Sequence, residues 1–405
     1  MNILLVSQEY PPETGWGGIG TYTFHLAHGL RRQGHTVWVL SRSLDAQTHW
    51  DDRTGINVYL IPNAHPLKSL RRLRLDGIAH ILGWSKSVDE GIYQLWQQFV
   101  PDIVEMPLWD AEAFFYGLHP RVPLVIRAET PRTENARIAG FDRRWWAINL
   151  KAGCWLEGFA ARRALRLIAI SQSIARTVQS DYHVLGEKIR VCYLGIPMPT
   201  QTSARAESEQ IVFLFVGRLE PRKGIQFLLQ AIPQVVAVLP KARFVIVGRD
   251  VGMPLTRCSY RSYFEEIANA AALAATQFTG FVERAELERL YSECDVFVAP
   301  SLYESFGLVH LEAMSYGKPV VAFRSGATPE IVSDQETGLL VEPGNVAALA
   351  SALIRLGQDR ELRKQMGMRG TLVARNHFSV EAMVDRTLEI YTEAIRQWQI
   401  KEKKV

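Results

Sequence analysis

Short apolar runs alternate with amphipathic stretches along the whole chain, and this alternation predicts parallel strands joined by crossover helices. In the first half Ile3–Ser7, Thr36–Ser41, Asn57–Ile61, Asp102–Glu105, Leu124–Arg127, Leu167–Ser171 and Ile189–Tyr193 read as strands. Helices are predicted over Thr21–Arg32, Ser85–Phe99 and Ser173–Tyr182. The polar stretch Pro197–Gln210 carries two prolines and no apolar period, so it reads as a linker. After it the pattern restarts, with strands at Ile211–Val216, Arg243–Val247, Thr276–Thr279, Val296–Ala299, Pro319–Phe323 and Leu339–Val341. The prediction is an α/β protein with an N-terminal domain over 1–198, a linker over 199–210 and a C-terminal domain over 211–378. Residues 379–405 show apolar positions at helical spacing and are expected to pack back towards the N-terminal domain. Two doubly wound domains facing each other would put the carboxyl ends of both sheets, where such sheets bind ligands, on the walls of one cleft.

Length agrees with two domains, since 405 residues far exceed the ~150 of one. The 46 basic and 42 acidic residues leave a formal charge of +4, which offers little for nucleic acid to recognise. The four cysteines form no C-x-x-C pair, which argues against a zinc or redox motif and for reduced thiols in a cytoplasmic protein. No run reaches the ~18 apolar residues of a membrane span, so membrane contact, if any, is peripheral, at the inner face. Two segments bear on that contact: Lys68–Leu75, followed by Ile78, Ile81, Leu82 and Trp84, and Arg143–Trp146. Both also fit a solvated helix face or a cover for the first sheet. Meeting no signal-peptide pattern, Met1–Ser7 reads as a first strand.

Three segments carry candidate chemistry. Gly15–Gly20 spells G-x-G-x-x-G, but seven residues separate it from the first strand and no acid ends the second, so a dinucleotide fingerprint is poorly matched. A flexible turn and a phosphate cradle at the next helix both fit better. Phe215–Gly224 is a strand end, a loop with Arg218 and Lys223, and a helix start, and those two cations suit a diphosphate leaving group. Ser301–Met314 places Glu304 at a strand mouth, with Ser305 as a helix cap and the N–H groups of Phe306, Gly307 and Leu308 facing the cleft. On one helix Glu304 and Glu312 would be ~12 Å apart, too far for the paired carboxylates of a glycosidase, so they should hold different parts of a long ligand.

These motifs together resemble glycosyltransferase family 4, the retaining transferases of GT-B fold with two Rossmann-like domains. The resemblance rests on Gly17-Gly18, Gly217-Arg218-Leu219, Lys223-Gly224, Gly280-Phe281-Val282, Glu304-x7-Glu312, Gly317–Val321 and Thr337–Val341, and it covers essentially the whole chain. It implies a nucleotide diphosphate sugar, a UDP- or GDP-hexose, as co-substrate, a hydroxyl acceptor such as a lipid-linked sugar or polysaccharide, and no cofactor. It assigns Arg218 and Lys223 to the diphosphate, Glu304 and the Phe306–Leu308 backbone to the sugar, and Glu312 to the ribose. Val282 would lie near the base, and Gly17 and Gly18 would close over the diphosphate. No metal is implied, and the sequence has no Asp-x-Asp triplet.

The chain departs from the family where histidines often stand, at Asp102–Asp110 and Arg127–Pro131. Glu105, Asp110 and Glu129 are the acids there that could orient an acceptor hydroxyl, or could be structural. His25 and His28, three apart on a predicted helix, fit helix packing better than a metal site. The leading expectation is a retaining hexosyltransferase, monomeric or weakly dimeric. A nucleotide-sugar epimerase of similar architecture and a catalytically silent nucleotide-sugar-binding protein are the alternatives.

Overall fold

The structure is a computed structural model and describes residues 1–12, 14, 17–44, 49–51, 55–63, 72, 74–139, 144–199, 209–253 and 258–403. It divides into two compact units, Met1–Gly195 with Val380–Val405, and Ile196–Ser379. Most of the expected linker lies outside the described residues.

The first unit holds β1 (Asn2–Ser7), β2 (Thr36–Arg42), β3 (His49–Asp51), β4 (Asn57–Ile61), β5 (Ile103–Pro107), β6 (Leu124–Ala128), β7 (Arg166–Ala169) and β8 (Ile189–Val191). They pair in the order β3-β4-β2-β1-β5-β6-β7-β8. All pairs are parallel except β3 with β4. Ile3, Leu4, Leu5 and Val6 of β1 are all buried, as a central parallel strand covered on both faces requires. The covering helices are α1 (Gly18–Arg32), α2 (Asp76–Leu95), α3 (Arg132–Ala139), α4 (Arg144–Arg163) and α5 (Gln172–Tyr182).

α2 and β3 differ most from expectation. Instead of Ser85–Phe99, α2 runs over Asp76–Leu95, because Ile81 and Trp84 are buried core residues one turn apart. They therefore do not belong to a membrane-facing surface, and most of Lys68–Leu75 lies outside the described residues. The edge strand β3 was not expected, since three residues carry too little alternation to register.

The second unit holds β9 (Ile211–Val216), β10 (Ala242–Val247), β11 (Thr276–Gly280), β12 (Val296–Ala299), β13 (Val320–Phe323) and β14 (Gly338–Val341), ordered β11-β10-β9-β12-β13-β14 and all parallel. Its helices are α6 (Ile225–Val238), α7 (Tyr260–Ile267), α8 (Ala270–Ala275), α9 (Arg284–Glu293), α10 (Leu308–Ser315), α11 (Thr328–Ile331), α12 (Val346–Gln358) and α13 (Arg360–His377). Phe213 and Phe244 stack at 4.9 Å in its core. The last helix, α14 (Val380–Glu402), returns to the first unit. There Gly29 of α1 leaves no room for a side chain, because a Cβ would overlap Val384.

Strand order fixes where each unit can hold a ligand. In the first unit successive strands run outward in opposite directions from β1 and β5, and in the second from β9 and β12. At such a reversal the loops leaving the two central strands part and open a crevice at their carboxyl ends.

Candidate active site

In the second unit the loops after β9 and β12 carry an alternating ladder of charge. Glu220 accepts from Arg218 (3.4 Å) and Arg222 (3.2 Å). Arg222 lies 3.9 Å from Glu304, and Lys223 donates to Glu304 at 2.6 Å. The hydroxyl of Ser301 also donates to Glu304, at 2.8 Å. These loops can touch because Gly224, at φ 68°, has no side chain, and a Cβ there would overlap the Pro300 carbonyl. Burial is the largest single influence on the Glu304 carboxyl and would raise it, but the charge and hydrogen bond of Lys223, together with His310 and Arg222, outweigh it and hold the group below the usual carboxylate range. Arg218 differs from its neighbours, its side chain being 62% exposed.

Two features of the following helix correct the sequence reading. α10 begins at Leu308 with Gly307 as its N-cap at φ 101°, not at a Ser305 cap. Glu304 therefore precedes the helix, and the helical spacing assumed between Glu304 and Glu312 does not apply. Phe306 is buried with its ring 6.1 Å from Phe378, so its backbone, not its ring, is what a ligand could meet. Beneath this turn His310 is fully buried, and burial drives its imidazole down to about 4, so it stays neutral.

Glu312, in the middle of α10, has its own partners. It accepts from the Tyr291 hydroxyl at 2.8 Å and lies 3.6 Å from Arg284, and burial raises its carboxyl. Arg284 opens α9 two residues after Val282, so this contact ties the loop holding Val282 to Glu312.

In the first unit, Gly17 is the N-cap of α1, which starts at Gly18, earlier than the expected Thr21. The Glu9 carboxylate fills the space a Gly17 side chain would take. The three acids singled out there have separate fates. Glu105 is wholly committed to the frame: it accepts twice from Arg127 (3.0 and 3.1 Å), from Tyr391 (2.8 Å) and from Tyr22. Asp110, at φ 53°, pairs with Arg132. Glu129, 8% exposed, has no hydrogen-bond partner on either carboxylate oxygen and lines a cavity of about 10 Å3 with Ile19, Tyr22 and Arg127. That volume holds about one water or one hydroxyl. Burial lifts the Glu129 carboxyl from 4.5 to about 8, with the amides of Glu129 and Leu108 and the Arg127 charge offsetting only part of it. Near it Glu112 is also buried, with one oxygen unpartnered and its pKa pushed up by burial and by Asp110.

The profile of Glycosyltransferase Family 4 matches residues 16–198, and that of Glycosyl transferases group 1 matches residues 200–373. This chain is a family 4-type glycosyltransferase. An uncharacterized glycosyltransferase of Methanocaldococcus jannaschii is 28% identical over 96% of this chain and 98% of its own length. Among solved structures, sucrose-phosphate synthase from Thermosynechococcus elongatus has a TM-score of 0.76 at 20% identity, covering 98% of this chain and 99% of that one. HepE of Anabaena, solved in complex with UDP and glucose, has a TM-score of 0.67 at 21% identity, covering 97% and 99%. These likenesses place the two Rossmann-like units in the GT-B class of fold.

In this glycosyltransferase the structure brings Lys223 and Glu304 into direct contact and keeps Glu312 in a separate cluster with Tyr291 and Arg284. Sequence reasoning missed Glu220, Arg222, Ser301 and Glu112. Arg222 had a legible signal, since it adjoins Lys223 in the same basic loop. The burial of Glu112 had none, because its chain neighbours do not reveal what packs over it.

Proposed function

We propose that this glycosyltransferase moves a hexosyl group from a nucleoside diphosphate sugar, UDP- or GDP-linked, to a hydroxyl with retention of anomeric configuration and without a metal ion. The observation that carries this reading is the Lys223–Glu304 pair at the strand-order reversal of the second unit. One partner is a cation suited to a departing diphosphate, and the other a carboxylate suited to sugar hydroxyls. Arg218, exposed at the loop edge, and Arg222 add donors for the phosphates, and the first turn of α10 adds backbone N–H groups. Glu312, with Val282 close by along the chain, is assigned to the ribose and base end. HepE, solved with UDP and glucose, supports a donor of this class.

In the transfer, the acceptor oxygen bonds to the anomeric carbon on the face from which the diphosphate departs. The phosphate oxygen that breaks from carbon takes the acceptor's proton, and no covalent enzyme intermediate forms. Lys223 and the arginines stabilise charge that grows on the diphosphate as the bond breaks. In the first unit, Gly17 and Gly18 at the start of α1 form an anion site. Glu129 is assigned to an acceptor hydroxyl there, in preference to Glu105 and Asp110, whose carboxylates already have cationic partners. Proton NMR of the product formed from an α-linked donor tests the mechanism. An α-glycoside is expected, and a β-glycoside would overturn retention.

A further inference from the structure

The exposed face of α4 in the first unit has a composition that the transfer reaction does not use. Ile148 and Trp155 are 48% and 58% exposed, and Phe159 lies partly exposed between the next turns. At ~100° per residue, positions 148, 155 and 159 form one line along the helix. Lys151 and Arg162 flank that line on one side and Arg163 on the other, all exposed. Glu157, nine positions beyond Ile148, points the opposite way and is buried, accepting from Tyr182 at 2.6 Å. The described outer face of this helix therefore carries cations and no acid.

Neighbouring elements extend the same character. Phe114, from the segment after β5, packs against Phe159 (5.2 Å between rings) and Trp155 (6.4 Å). The guanidinium of Arg163 lies 5.2 Å above the Phe159 ring. At the other end, Asn149 donates to the Arg74 carbonyl at 3.1 Å, which brings the exposed Arg74 beside α4, and the exposed Arg72 stands two positions before it along the chain. Among the described residues of that end, the exposed acid Asp76 stands against these cations.

We propose that the face of α4 is a docking surface for a lipid bilayer with anionic headgroups, with Trp155 and Ile148 entering the interface and Lys151, Arg163, Arg72 and Arg74 meeting the headgroups. An apolar line edged on both sides by cations is the pattern of a helix lying in the plane of a membrane surface. Charge selects this occupant over a second copy of the chain, because a symmetric pairing of this face would set its cations against one another. The surface is separate from the donor and acceptor groups assigned above, so binding to vesicles needs neither substrate.

The test is flotation of the full chain with vesicles of phosphatidylcholine alone and of phosphatidylcholine mixed equally with phosphatidylglycerol. The protein is expected to float with the mixed vesicles, to stay behind with phosphatidylcholine alone, and to be released by salt. Ile148→Ser with Trp155→Ser should weaken binding roughly ten- to a hundredfold, since each removes a large apolar group from the interface. Lys151→Glu with Arg163→Glu should weaken it by more than about fivefold for each cation lost. Circular dichroism and UDP binding of the variants should match those of the parent protein. Equal flotation of parent and variants, absence of flotation with the mixed vesicles, or flotation regardless of lipid charge would overturn the proposal. A parent dimer that Trp155→Ser dissolves would also overturn it and give the face to a second copy.

Discussion

Replacing Glu129 with glutamine tests the most unusual electrostatic feature of the first unit. In the folded protein this carboxyl is lifted from 4.5 to about 8, while in the unfolded chain it regains an ordinary value. Between those limits the folded state keeps a proton that the unfolded state releases. Stability therefore falls as pH rises from about 4.5 to about 8 and levels off above, at about 1.4 kcal/mol per pH unit. The full difference is about 5 kcal/mol, of which about 3 kcal/mol accrues between pH 5 and pH 7. Glutamine keeps the shape and stays neutral, so the variant lacks this slope. Glu157, which burial lifts to about 7, and Glu112 titrate in both proteins and largely cancel in the comparison. Thermal unfolding of the two proteins from pH 5 to 8.5 gives the measurement. With ~2–4 °C per kcal/mol for a unit of this size, the variant should gain roughly 6–12 °C on the parent between pH 5 and 7. A melting-temperature gap that does not change with pH would refute the reasoning, because it would mean that Glu129 is ionised and partnered in the folded state.

Lys223→Ala should lower turnover by ~2.7–4 kcal/mol, the scale of a lost oxyanion donor, and weaken UDP binding less, as kinetics and calorimetry together can show. Glu304→Ala should leave UDP affinity nearly unchanged while abolishing transfer, whereas Glu312→Ala should weaken UDP itself; equal losses in the two would mean that the ends of the donor are assigned wrongly. Arg127→Met strands Glu105 as an uncompensated buried charge and should cost about 3–5 kcal/mol in urea unfolding of the first unit, with Glu105→Gln in the same chain restoring part of it.

Much of this architecture was legible because central parallel strands are covered on both faces and so appear as unbroken apolar runs, as in Ile211–Val216 and Val296–Ala299, whose bounds match the structure. The start of α2 was not legible, since its first turn mixes Asp76 and Gly77 with isoleucine and only packing shows Ile81 and Trp84 to be core. In the site, Lys223 and Glu304 were identified as chemistry but not as partners, because an ion pair across 81 positions depends on two loops meeting at Gly224. The acids of the first unit were the least readable. Glu105 and Glu129 stand on the same side of the sequence argument, yet one is saturated by Arg127, Tyr22 and Tyr391 and the other has no partner. That difference comes from Arg127 on the neighbouring strand β6 and from Tyr22 and Tyr391 on α1 and α14, far away in sequence.

The return of α14 to the first unit also sets an order for biosynthesis. Thr387 and Tyr391 complete the buried cluster of Arg127 and Glu105, and Val380 and Val384 cover Gly29. On the ribosome the first unit must wait for these residues while Ile196–Ser379 is made, an interval of roughly ten to forty seconds at ordinary elongation rates. The second unit is continuous in sequence and needs no residue made after Ser379 to close. The half of the protein that is translated first is therefore the half that finishes folding last, and a released chain truncated just before Val380 would keep every residue of the second unit while leaving the first unit with an open wall.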